Sequence, residues 1–169
     1  SKIPSTPWGT RFTEEYRICM RKMLNRSGER TLLPAIVAPY ITHIDGIFGV
    51  AVKENIALIA GLMASLPYDF FVKIAGKANI RFDIVSHFPI IIGSVYQKEI
   101  VARSLMLNCL NKYYGDLWNK EYNSSFTTIM WTKKDERLNN AVFESLTEYW
   151  SYNTPLRDDY SRRQALIEL

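Results

Sequence analysis

The sequence predicts an α+β fold: a small mixed β-sheet packed with a buried central helix, and one long helix after it. Three observations predict this. Ile56–Leu66 is apolar nearly all round, as a helix inside a core must be. Two short aliphatic runs, 31–39 and 47–52, precede it and are bounded by prolines and by Asp45-Gly46, the marks of strands and a turn. Gln97–Tyr122 carries Ile100, Leu105, Leu107, Leu110, Tyr114, Leu117 and Trp118 as apolar positions of the longest helical pattern in the chain. With 169 residues, 47% hydrophobic and 22% charged, the chain has the length and composition of one compact globular domain.

Taken in order, residues 1–12 contain two prolines and no periodicity, an extended lead-in. Thr13-Glu14-Glu15 predicts a helix start, a hydroxyl followed by two carboxylates near the positive end of the helix dipole. Tyr16, Met20, Met23 and Leu24 would mark its apolar face, Arg21, Lys22 and Arg26 its last turn, and Ser27-Gly28 its end. The run 31–39 reads as a strand with Pro34 at its start or edge, since proline cannot donate to a ladder. The run 47–52 reads as a second strand, paired with the first in a hairpin-like unit. Asn55 is the expected N-cap of the buried helix. Pro67 bends or ends that helix, and Tyr68–Lys73 resumes it. Gly76–Arg81 is a polar connector, and Pro89–Ile92 a short extended apolar run. Further on, Ser125–Trp131 fits a strand, and Asn140–Tyr149 and Asp158–Leu169 fit helices.

Cys19 and Cys109 each sit in an apolar stretch, where a buried free thiol is expected. The opening residues carry no apolar leader core, and the longest apolar run is about half of what a bilayer span needs. A cytoplasmic location with no membrane partner is therefore expected. The chain begins without Met and stops inside an apolar periodic run, which suggests a piece of a longer protein.

Net charge is +4. The excess lies in residues 1–81, with 11 Lys/Arg against 6 Asp/Glu, while residues 82–169 hold 10 against 11. This points weakly towards a polyanionic partner.

Catalytic signatures are missing. There is no glycine-rich cofactor loop after a strand and no Asn-Pro-Pro-Tyr-type loop for a flipped base; Ala38-Pro39-Tyr40 has one proline and no leading polar residue. No Asp or Glu is followed two residues later by Lys, so the two-carboxylate-plus-lysine pattern of metal-dependent nucleases is absent. His43 and Asp45 could share a strand face, but a satisfied polar pair at a turn is the plainer reading. No catalytic, metal or cofactor residue is expected in this chain.

Arg17–Pro89 resembles the target-recognition region of type IIG-like restriction-modification and phage-defence DNA adenine methyltransferases and, more distantly, a recognition domain of the type I restriction specificity subunit. The resemblance is carried by Arg30-Thr31-Leu32-Leu33-Pro34-Ala35-Ile36-Val37, by Leu62–Lys73 with its Ser-Leu-Pro-Tyr centre, by Gly76-Lys77-Ala78-Asn79-Ile80, and by Phe88-Pro89-Ile90, in that order. Phe88 stands where leucine is common, and the type I connector is usually richer in Gly and Thr. Asp159–Glu168 is also similar to the tail after this domain in large defence methyltransferases. The resemblance implies one DNA target-recognition domain over 13–169 with its best-matched core at 13–92. It further implies a non-catalytic role in reading double-stranded DNA, beside a methyltransferase region of the same chain that binds S-adenosyl methionine, with or without endonuclease activity.

On that reading the connector meets DNA through Lys77, Asn79 and Arg81, with Lys73 nearby; Arg21, Lys22, Arg26 and Arg30 form a second basic cluster, which helix-end dipole compensation explains equally well. Asn79 has the amide to pair with adenine, and Arg81 the fork for guanine or phosphate. Alternatives are a solvated loop, a protein-interaction module docking through Gln97–Tyr122, or a diverged nuclease.

Overall fold

The computed structural model describes residues 3–25 and 27–169; Arg26, one of the expected DNA contacts, lies outside the described residues. The fold is α+β, and the chain gathers into two compact units, 1–90 and 91–169, where the sequence reading drew one domain over 13–169.

The first unit is built on a three-stranded antiparallel sheet of β1 (Arg17–Arg21), β2 (Pro34–Val37) and β3 (Ile47–Ala51), in the order β2-β1-β3. This corrects three expectations. Arg17–Arg21 is the central strand and not a helix; the Thr13-Glu14-Glu15 signal yields only a 3-10 turn, Phe12–Glu14. The two later strands do not pair with each other, because β1 lies between them, with Ile18 opposite both Ile36 and Val50. The sheet is antiparallel throughout, not mixed. Burial explains the misreading of β1: residues 17–20 are all buried, so the strand lacks the in-out alternation that a half-exposed strand shows.

The lead-in is not extended. Thr6 N–H donates to Thr10 O at 2.8 Å and Phe12 N–H to Pro4 O at 2.9 Å, closing a tight turn. The Arg17 side chain is buried under it, with its guanidinium 5.2 Å from the centre of the Phe12 ring and donating to Ile41 O.

Helix α1 (Ile56–Ala64) is the buried central helix expected, with eight of its nine residues buried. Each fully buried Leu or Met there contributes roughly 1.5–3 kcal/mol of apolar transfer. Asn55 occupies the N-cap position in a left-handed conformation, φ 58°, and holds the first turn through its carbonyl, which accepts from Ile59 N–H at 3.0 Å, instead of through its side chain. The chain bends by 64° at Ser65 and continues as α2 (Leu66–Ile74), with Pro67 in the first turn, where its missing N–H costs nothing. A short helix α3 (Phe82–Val85) follows the connector.

In the second unit, Gln97–Tyr122 is two helices and not one: α4 (Gln97–Asn108) and α5 (Gly115–Glu121), separated at Cys109, where ψ turns to 57°. Ser125–Trp131 is not a strand. Ser124–Thr128 forms a 3-10 turn, held by Asn123 Oδ1 accepting from Ser125 N–H at 2.9 Å and by the Thr127 and Thr128 hydroxyls donating to Ser124 O and Ser125 O at 2.8 Å. These local side-chain bonds compete directly with a ladder. The helix α6 is only Ala141–Glu144, whereas α7 (Asp159–Ile167) matches expectation, with Asp158 capping Ser161 N–H at 2.7 Å. Cys19 and Cys109 are both free and buried, as expected. Among the described residues no single helix is long and apolar enough to cross a membrane.

Candidate nucleic-acid interface

The connector between α2 and α3 is pinned to the end of β1. Beyond Arg21, Leu24 N–H donates to Ala78 O at 2.9 Å and Ile80 N–H to Lys22 O at 2.8 Å, and Met23 and Asn79 form an antiparallel bridge. Ile80 is fully buried and anchors this pairing. The residues around it point away from the core: Lys77, Ala78 and Arg81 are exposed and Asn79 is half-buried.

The same pairing brings Arg21 and Lys22 beside the connector. The sequence offers these two as part of a second basic cluster or as helix-end cations; the pairing of residues 22–24 with 78–80 follows from β1, in place of the expected helix. Lys22 Nζ donates to Asp45 Oδ1 at 2.6 Å, and Lys22 N–H to Gly46 O at 2.9 Å. The hydrogen bond and charge of Lys22, and the more distant charge of Arg81, hold the Asp45 carboxyl below its ordinary range. Asp45 is thus the counter-charge of the patch, 23 residues from its partner and invisible as such in the linear sequence.

Arg30 and Lys73 are used differently. Both close on Asp69, a buried carboxylate on α2: Lys73 Nζ lies 3.4 Å from Oδ2, and Arg30 Nε 3.9 Å from Oδ1. Arg30 also donates to Ala64 O, and Lys73 to Gly28 O and Glu29 O at 3.3 and 3.1 Å. Asp69 itself accepts from Thr31 N–H and Leu32 N–H, each at 2.6 Å. These two cations tie the loop before β2 to the helix pair, whereas Lys77, Asn79 and Arg81 lie together along the connector.

His43 and Asp45 do not act as a pair: the His43 ring meets Ile44 O at 3.2 Å while Asp45 turns to Lys22. His87 Nδ1 lies 2.6 Å from Asp83 O, a polar surface contact. Lys133 in the second unit is neutralised, at 3.1 Å from Asp135, which also receives three bonds from Arg137, two from its guanidinium and one from its backbone N–H. Among the described residues no three His, Cys, Asp or Glu side chains are grouped to hold a metal ion.

No protein-family model, curated protein or solved structure matches this chain. The site is therefore judged on its own geometry: an exposed, net-positive edge carrying one amide and two forked or point-charge cations, held on a rigid main-chain bridge, with Asp45 at one side.

Proposed function

We propose that this chain is a double-stranded DNA target-recognition module of a restriction-modification or phage-defence adenine methyltransferase, related in fold to the type I specificity subunit and without a catalytic centre of its own. What supports the reading is the exposure of Lys77 and Arg81, with half-buried Asn79 between them, on a connector whose backbone is bonded to Lys22 and Leu24 just beyond β1. Cations there hold phosphates and supply affinity that falls with salt, while an amide and a guanidinium have the geometry to read base edges. Methyl transfer, and cleavage if the parent cuts DNA, would fall to another region that binds S-adenosyl methionine.

The test is transplantation. Grafting residues 13–92 into a related methyltransferase is expected to change the sequence that the host modifies. An unchanged modification site in a folded chimera counts against the proposal.

One observation favours a second reading, a protein-interaction module. On α2, Leu66, Phe70 and Ile74 recur every four residues and are 58%, 64% and 64% exposed, an apolar stripe of the kind that docks on a partner. This face, and not the broken 97–122 segment, would carry such contacts. Charge reversal at Lys77 and Arg81 should then spare assembly, and Phe70→Glu should disrupt it.

A further inference from the structure

The first unit encloses an apolar cavity of about 210 Å³ between the sheet, α1 and the segment that follows the connector. It is lined by Ile18, Val50, Leu62, Met63 and Phe88 and is partly open to solvent. Phe88 is held in place edge-on by Tyr68, ring centroids 5.2 Å apart, and by Phe71 at 5.8 Å.

The polar atoms at the lining are already satisfied. Tyr68 donates its hydroxyl proton to Pro89 O, and Ser86 Oγ lies 3.5 Å from Asp83 O. No charged side chain lines the space. Water inside it would find few partners, so the site disfavours water and favours hydrocarbon. Phe82, 72% exposed, and Ile90, 52% exposed, border the same space and supply an entrance from solvent.

We infer that this cavity is a binding site for a small uncharged apolar molecule, a single aromatic ring or a branched alkyl group. An apolar protein cavity of about 150 Å³ accommodates benzene, so the present volume takes a ring carrying a few further carbon atoms. A carboxylate or ammonium on the ligand would lose its hydration with nothing to replace it, so charged analogues are excluded. This inference is independent of DNA recognition.

The experiment uses the full chain with toluene and indole as probes and benzoate as the charged counterpart. Thermal unfolding is expected to rise by about 4 °C at ten times the dissociation constant of toluene or indole, and not with benzoate. Methyl resonances of Ile18, Leu62 and Met63 should shift with the same concentration dependence. In V52F, where the added ring occupies the space, both effects should disappear while far-UV circular dichroism remains that of the parent. If V52F does not fold, the methyl shifts of the unmodified chain decide alone. Absence of stabilisation and of methyl shifts with both rings overturns the inference, as does equal stabilisation of a folded V52F.

Discussion

The N–H of Ile80 donates to the carbonyl of Lys22 at 2.8 Å, although 58 residues separate them. That bond gives the connector a fixed orientation: the buried Ile80 side chain faces the core, so Lys77 and Arg81 face solvent beside Arg21 and Lys22. The edge, the buried polar clusters at Asp69 and at Arg103–Glu168, and the two buried free thiols each have a measurable consequence.

Asp45 is the negative member of the patch. D45N is expected to strengthen duplex binding several-fold at neutral pH, because it removes a phosphate-repelling charge and releases Lys22. Fluorescence anisotropy at fixed salt measures this; weaker binding by a folded D45N would contradict it.

Asp69 is a structural carboxylate. D69A leaves the N–H groups of Thr31 and Leu32 buried without their acceptor and two cations without their partner, at a cost of about 2–4 kcal/mol in urea unfolding. K73M is expected to lower stability modestly and to leave the salt dependence of DNA binding unchanged, since the Lys73 ammonium is bonded to Asp69 and to the Glu29 carbonyl.

Arg103 and Glu168 form a buried ion pair in the second unit, with Arg103 Nε 3.0 Å from Glu168 Oε2 and the guanidinium 5.4 Å from the Phe143 ring centre. E168A strands a buried guanidinium and is expected to cost about 3–5 kcal/mol, whereas R103M/E168L should cost less than the sum of its single changes. Burial raises the Glu168 carboxyl most, but bonds from Gln164, Thr132 and Arg103 together outweigh it and hold the group below its ordinary 4.5. A carboxyl depressed in the folded state contributes stability above its unfolded value and loses it as pH falls through the folded value. Urea midpoints should therefore decline as pH falls below about 4.5, and E168Q should flatten that decline.

Both thiols are expected to resist a thiol reagent in the native protein. Burial pushes the Cys19 and Cys109 thiols up, so little thiolate forms near neutral pH, and Cys109 has no exposed surface. Two equivalents should react only on unfolding; rapid native labelling would contradict the packing around them.

The buried helix α1, the bend just before Pro67, the strands at 34–37 and 47–51 and the last helix were legible because each carries a local signal: an apolar run, proline, or a capping carboxylate. The central strand was not. Its residues 17–20 are buried on both faces, and the hydroxyl and carboxylates before it imitate a helix start. Missing β1 also hid the sheet order and the neighbours of Arg21 and Lys22. The break at Cys109 lay between Asn108 and Asn111, residues whose side chains bond the nearby backbone and which the apolar spacing alone overrode. In the candidate site, Lys77, Asn79 and Arg81 are singled out by the family resemblance of the connector, while its pairing with residues 22–24 is not visible in the sequence. The pairing of Lys73 with Asp69 is an i, i+4 contact on α2 that spacing could have given, whereas that of Arg30 with Asp69 depends on a contact across the fold.

The most direct measurement is a titration of a mixed-sequence DNA duplex with the chain between 50 and 200 mM salt. Binding with Kd of roughly 10⁻⁶ to 10⁻⁴ M, weakening steeply with salt, is the expected result, with K77Q/R81Q lowering the salt slope by about 2. Failure to bind at 50 mM salt, or a slope unaltered by that double substitution in a folded protein, would contradict the assignment of this edge to DNA.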